Sequence, residues 1–204
     1  MVNALRASGA RAEAFQADLS NPAAAEALVE RIERALGPIH SLVNSAALFE
    51  RSDFVETSIE VLERLWAVNA RGPFVLAQAV ARRMRSRSGG DIVNVLDIGG
   101  ALVPWAHYSA YCMSKAALAM LTRCLALELA PAIRVNAIAP GTVLPPEQID
   151  ASTLEAIRAR IPQRRFGSPE DVVDAVQFLL AGPRFITGQI LAVDGGRSLG
   201  TQSL

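Results

Sequence analysis

Lysine is almost missing from this chain. Twenty of its 204 residues are basic, and Lys115 is the one that is not arginine. A GC-rich codon bias writes such a skew. A lysine kept against that bias points to work a guanidinium cannot do: arginine stays charged and planar, whereas a compact ammonium can tune a neighbour's proton affinity. Net charge is missing too. Twenty acidic residues balance the twenty basic ones, so no global field draws the chain to nucleic acid or to anionic lipid. The densest basic run, Arg82, Arg83, Arg85 and Arg87, follows an apolar helical stretch, where cations complement the helix dipole. Histidine occurs only at His40 and His107, neither with a ligand partner at a useful spacing, so no metal site is expected. Cys112 and Cys124 are the only cysteines. On one helix they would stand about 18 Å apart, too far to bridge, which fits a reducing cytoplasm. No apolar run is long enough to cross a bilayer, and the N-terminus lacks the layout of a secretory signal. No Gly-x-x-x-Gly-x-Gly turn joins a strand to a helix, so the loop that brings backbone amides up to a pyrophosphate is absent from the sequence.

What is present reads as one domain over residues 1–204, half hydrophobic and one-fifth charged, with no repeat and no linker. Ala14 to Leu19 reads as a short strand. Asn21-Pro22 opens an alanine-rich helix to about Leu36, stopped by Gly37-Pro38. Ile39 to Asn44 is a second strand. Thr57 with Glu60 forms a capping box for a helix that runs toward Met84 through Asn69-Ala70-Arg71-Gly72-Pro73. Asp91 to Leu96 is a third strand, Ser109 to Ala130 a long helix apolar over most of its surface, and Ile133 to Ala139 a fourth strand. Ser168-Pro169-Glu170-Asp171 starts another helix, and Gln189 to Val193 is a last strand. Strands separated by helices predict an α/β fold, a doubly wound parallel sheet flanked by helices.

Such sheets bind ligands beyond the carboxyl ends of their strands, where Asn44, Asp97 and Pro140-Gly141 all fall. Tyr111 and Lys115 stand four residues apart and share a helix face. Tyrosine's reference pKa of about 10 is too high for proton exchange near neutrality, and an adjacent ammonium is expected to lower it. Asp97, if ionised, would raise the neighbouring phenol's pKa; kept neutral by burial, it would itself be an acid.

Taken together, these residues resemble the short-chain dehydrogenase/reductase family over essentially the whole chain. Asp18-Leu19 matches the acid that ends the family's third strand and contacts adenine. Asn44-Ser45-Ala46-Ala47 matches the Asn-Asn-Ala-Gly turn, Asn69 the helix asparagine that holds a proton-relay water, and Tyr111 with Lys115 the catalytic Tyr-x-x-x-Lys. Pro140-Gly141 matches the turn beside the nicotinamide, and Ile186-Thr187-Gly188 with Val193-Asp194-Gly195-Gly196 the C-terminal signature. Most members carry a serine where this chain has Asp97, and that aspartate, together with Phe49, Met120-Leu121-Thr122-Arg123 and Gly195-Gly196-Arg197-Ser198-Leu199, resembles the pteridine reductase branch. The resemblance implies a Rossmann-like fold and a catalytic set of Asp97, Tyr111, Lys115 and Asn69. It implies cofactor contacts from Asp18, Leu19, Asn44, Ala46, Tyr111, Lys115, Pro140 and Gly141. Phe49 would stack on a pterin held by Asp97 and Tyr111.

The implied cofactor is NADPH, with NADH possible, and the implied assembly is a homo-oligomer, dimer or tetramer, joined through the long helices containing Trp66 and Leu125. The same comparison implies that the family's first two strands and glycine-rich loop precede the material seen here, with residues 1–9 as the tail of a helix. Two alternatives stay open: a reductase of carbonyl substrates such as 3-oxoacyl thioesters, and a truncated, non-catalytic homologue.

Overall fold

The computed structural model of the chain describes residues 2–145 and 150–200. Four strands, β1 (Ser41–Asn44), β2 (Gly90–Val95), β3 (Ile133–Pro140) and β4 (Ile190–Val193), lie in the order β1-β2-β3-β4, and every ladder is parallel. Parallel neighbours need crossovers, which the helices between the strands supply; two further helices precede β1. The helices are α1 (Val2–Ala7), α2 (Pro22–Leu36), α3 (Ile59–Trp66), α4 (Gly72–Arg85), the distorted single turn α5 (Ile98–Ala101), α6 (Ser109–Glu128), α7 (Ala151–Ala159) and α8 (Pro169–Ala181). The π turn Ala67–Arg71 joins α3 to α4 without a break.

The pleat decides which side chain meets which helix layer, because successive residues of a strand face opposite ways. Ile92, Ile133 and Val135 pack with Val29 of α2 and with Val80 and Met84 of α4. One position along, Val93 and Ile138 pack with Leu179 of α8 on the other face. Both faces of the sheet are therefore covered, as the near-continuous apolar run of β3 requires.

Most sequence-based expectations hold here, and three are corrected. Asn21 caps α2 and Ser168 forms a full capping box with Asp171. On α3, however, the cap is Ser58, which accepts from the Val61 amide, while Thr57 donates to the Asp53 carbonyl and closes the preceding 3-10 turn. Both adjacent hydroxyl residues are extended, and Ser58 takes the cap because the Thr57 hydroxyl is held by the preceding turn. Residues 14–19 form no strand, because no ladder neighbour lies beside them among the described residues. Arg31 instead donates to the Gln16 carbonyl, and Leu19 packs against the core under α2 and α4. Finally, Ser109–Glu128 does reach the length and hydropathy of a membrane span. Its inner face, from Ala110 and Tyr111 to Ala126, is buried inside the protein, which accounts for it as a core helix.

The N-terminal ends of the strands carry a clamp. Arg134 of β3 is buried; its Nη2 pairs with Asp91 at 2.8 Å and donates to the Leu179 and Leu180 carbonyls at 2.8 and 3.2 Å. Those carbonyls belong to the last turn of α8, which has no intrahelical partners to offer them. Its Nη1 donates to Ile186 at 3.1 Å, and exposed Arg184 also pairs with Asp91 at 2.9 Å. Arg134→Met is expected to destabilise the fold by about 3 kcal/mol, the low end for breaking a buried pair, because Arg184 still serves Asp91. Urea unfolding checks this as a lowered midpoint at constant slope.

Candidate active site

Asp97 lies just beyond the carboxyl end of β2. Its Oδ1 accepts from the Gly99 amide at 2.8 Å, capping α5, and its Oδ2 accepts from the Tyr111 hydroxyl at 2.9 Å. The turn that sets this geometry presses against α6. Gly100 there has φ +83°, and a Cβ on it would stand 2.3 Å from the Cys112 carbonyl oxygen, so only glycine fits. One helical turn beyond Tyr111, Lys115 is buried and its Nζ donates to the Val95 carbonyl at 3.1 Å. The ammonium stands 5.8 Å from the centre of the Tyr111 ring. Sequence spacing placed Tyr111 and Lys115 on one face, and the fold adds Asp97 to that face.

Burial governs the charges. It raises the Asp97 carboxyl above the usual range, against the Gly99 and Tyr111 hydrogen bonds and the charges of Lys115 and Arg197. Burial also pushes the Tyr111 phenol up strongly, and the charge and hydrogen bond of Asp97 push it further. Lys115 is pushed down to about 8 by burial, with Asp97 opposing. The expectation that the ammonium acidifies the phenol is thus reversed in this arrangement: desolvation and the carboxylate win, and Tyr111 holds its proton.

A buried amide chain supports this floor. Asn44 donates to Asn94 at 2.9 Å, and Asn94 donates to the Thr122 hydroxyl at 2.9 Å, tying β1, β2 and α6 together. The Asn44 side chain is thereby committed inward. Asn69, fully buried in the π turn, exchanges two hydrogen bonds of 2.8 Å with the Leu48 backbone and donates to Ser114 at 3.1 Å. Both its N–H donors are used, so it fixes the loop after β1 against α6 one residue from Lys115.

Above the floor opens a cleft of about 740 Å³, lined by Phe49, Trp105 and Tyr108 on one side and by Pro140, Gly141 and Thr142 on the other. Phe49 is 58% exposed; its ring lies stacked on Tyr108 at 4.8 Å and edge-on to Tyr111 at 4.8 Å. Gly141 is required where it is, since a Cβ there would meet Asp194 Cβ at 2.8 Å. Asp97, Tyr111, Phe49, Pro140 and Gly141 therefore converge on one cleft. Asp18, Leu19 and Ala46 do not line it. The Asp18 carboxylate accepts from the Ser20 amide, and Leu19 backs onto Gly72 of α4. Sequence reading missed Trp105, Tyr108, Thr142, Arg160 and Arg197. A signal existed for two of them: both tyrosines and one of the two tryptophans in the chain fall within residues 105–111.

The residues present fit the nicotinamide-ribose half of a dinucleotide. Lys115 has three donors and spends one, on Val95, leaving two for vicinal hydroxyls beside Tyr111 and the Pro140-Gly141 turn. Such a cofactor, when bound, supplies a hydride.

A parallel sheet wound on both faces, with a buried Tyr-Lys pair at its carboxyl rim, defines an NAD(P)-dependent oxidoreductase. A family model described as enoyl-(acyl carrier protein) reductase matches residues 1–198, and the chain belongs to the short-chain dehydrogenase/reductase family. It is 38% identical to the 2,3-dihydro-2,3-dihydroxybenzoate dehydrogenase of Bacillus subtilis over 98% of this chain and 82% of that one. It is 40% identical to the inactive 2-(S)-hydroxypropyl-CoM dehydrogenase 2 of Xanthobacter autotrophicus over 92% of this chain and 86% of that one. The crystal structure of a blue fluorescent protein from a metagenomic library, in complex with NADPH, superposes with a TM-score of 0.88 at 35% identity, covering 96% of this chain and 80% of that one.

The Lys115 value sets a pH prediction. Below about 8 the ammonium is charged and serves the site; above it the charge is lost. The profile of kcat/KM is expected to fall through that region, and Lys115→Arg, which stays protonated, is expected to lose the limb along with much of the rate. A limb that persists in the arginine variant would assign it to another group.

Proposed function

We propose that the chain transfers a hydride from NADPH to a pterin-type substrate, such as a dihydropteridine, dihydromonapterin or dihydrofolate, with Tyr111 giving the matching proton. The observation that carries this is the 2.9 Å bond from the Tyr111 hydroxyl to a carboxyl where most of the family has serine. Hydride arrives at ring carbon, the proton leaves the Tyr111 oxygen for the adjacent ring nitrogen, and the C=N bond becomes C–N. Burial and Asp97 keep the phenol protonated, and because they also weaken it as an acid, donation depends on the basicity of the ring nitrogen formed as hydride arrives. Lys115 holds the ribose and restores the proton, and Asn69 keeps the loop after β1 in register with α6. Asp97, its carboxyl raised by burial, offers an acceptor to an aminopyrimidine edge when ionised and a proton to a ring nitrogen when protonated. Phe49, more than half exposed at the cleft, offers ring surface to a flat substrate. NADPH is supported by the fold-level neighbour that binds it.

A carbonyl substrate, such as a 3-oxoacyl thioester, is the second reading, supported by relatives named as dehydrogenases and as a reductase of L-xylulose. Screening dihydrobiopterin and dihydrofolate against acetoacetyl thioesters separates the two. Tyr111→Phe is expected to lower turnover by about 10²–10⁴-fold while NADPH titration is little changed. Asp97→Ser is expected to lower pterin turnover far more than NADPH binding, and equal pterin turnover by that variant would remove the pterin reading. Failure of the wild-type chain to bind NADPH would favour the non-catalytic reading.

A homo-oligomer is proposed on the apolar outer faces of α3, α4 and α6, where Trp66, Phe74 and Met120 are 42–55% exposed. Sedimentation should give a dimer or tetramer, and Met120→Glu should shift it toward monomer. The unbridged Cys112 and Cys124 agree with a cytoplasmic setting.

A further inference from the structure

Two guanidiniums at the cleft have no task in hydride transfer. Arg197 opens the short 3-10 turn Arg197–Leu199 after β4. That turn is pinned by Asp194, whose carboxylate accepts from the Gly196 amide at 2.9 Å and the Ser198 amide at 2.7 Å. The Arg197 guanidinium lies over the Trp105 ring, 5.5 Å from its centre, and donates to the Thr142 hydroxyl. It has five N–H donors, and this arrangement leaves most of them open. Arg160, just past the end of α7, lines the same cleft. Among the described residues neither arginine stands within 4.0 Å of a carboxylate, although Arg64, Arg82, Arg87, Arg165 and Arg184 all do.

Among the described residues, the cleft therefore faces an incoming ligand with two positive groups and one acid, Asp97, which is already engaged by Gly99 and Tyr111. The cleft's aromatic lining is Phe49, Trp105 and Tyr108, with Trp105 set at 86° and 74° to the other two rings. Burial opposes the charge of Arg197 first and Arg160 opposes it as well, while Asp97 and Asp194 favour it. A bound anion removes that repulsion and gains charge-assisted hydrogen bonds from planar donors suited to a carboxylate.

We propose that the cleft selects a planar substrate bearing a carboxylate, held by Arg197 and Arg160 while its ring lies along Phe49, Trp105 and Tyr108. The proposal rests on the hydride-transfer reading for its purpose, but it is a claim about binding. A pterin whose side chain ends in a carboxylate satisfies it; a pterin with a neutral side chain does not.

The test is titration of benzoate and of its neutral isostere benzamide into the protein saturated with NADP⁺, read by quenching of Trp105 fluorescence. Benzoate is expected to bind about tenfold tighter, as hydrogen bonds to a charged acceptor require. Arg197→Gln with Arg160→Gln should bring the two ligands level. Should the double variant fold poorly by circular dichroism, Arg160→Gln alone, at an exposed position, should narrow the gap severalfold, and Arg160→Lys should restore most of it. Equal affinities in the wild type, or no binding of either ligand, overturn the proposal. So does benzoate binding that NADP⁺ abolishes, which would give the arginines to the cofactor's phosphates. A benzoate preference without any substrate turnover sinks the hydride-transfer reading and leaves this one standing; turnover of a neutral pterin without the preference does the reverse.

Discussion

The structure depends on a helix that turns polar side chains inward. On α6, Tyr111, Ser114, Lys115 and Thr122 are buried, while Met113, Met120 and Leu127 face outward. An ammonium loses several kcal/mol on leaving water unless partners replace it. Here a strand-end carbonyl takes one of its hydrogens and Asp97 lies near enough to favour its charge. That compensation works only if β2 ends beside the second turn of α6. The same requirement brings Asp97 to the phenol. Burying Lys115 and bringing Asp97 to Tyr111 are therefore one structural event.

The parallel sheet makes that event reproducible by fixing both of its ends. At the carboxyl rim, the Asn44–Asn94–Thr122 chain sets the height of β1 and β2 against α6. Each of these groups is buried, so each must find a partner or destabilise the fold. At the opposite rim, Arg134 gathers Asp91 and the end of α8. The strands are thus gripped by amides near the site and by a guanidinium behind it. Between the grips lies apolar packing that tolerates no change of register, since a slip of one residue exchanges the faces of every strand.

Much of this was legible in the sequence because it is local. Caps at Asn21 and Ser168, the apolar strands and the Tyr111–Lys115 spacing are written within a few residues of each other. Asp97 was legible from its place at a strand end. What could not be read depends on distant partners. Thr57 and Ser58 are equally good caps until Asp53 claims one of them. Residues 14–19 have strand composition, but a ladder needs a neighbour, and composition does not say whether one is there. Arg197 looked like part of a terminal signature, and only the fold lays it over Trp105, some ninety residues earlier in the chain. Asn44 was read as a cofactor contact, and the fold spends its amide on Asn94. The arginines of the cleft were hidden by abundance, since in a chain with eighteen others of their charge nothing marks two as special.

The exchange of serine for aspartate changes how the site responds to being filled. A serine hydroxyl is neutral whether the cleft is wet or dry. For Asp97, three influences favour the ionised form nearby: the Gly99 amide, the Tyr111 hydroxyl and the charges of Lys115 and Arg197; burial outweighs them even with the cleft open. Any ligand that displaces water from the cleft lowers the local dielectric further, and the desolvation that already dominates grows with it. A carboxylate on that ligand acts in the same direction, by repulsion and by drawing the Arg197 charge away from Asp97. Occupancy thus moves Asp97 toward its protonated form and shortens the distance, in free energy, between a proton on the phenol and one on the carboxyl. The same desolvation holds the phenol's proton more tightly, so what occupancy adds is a carboxyl that shares the proton beside the substrate, a dependence that a serine at this position cannot provide.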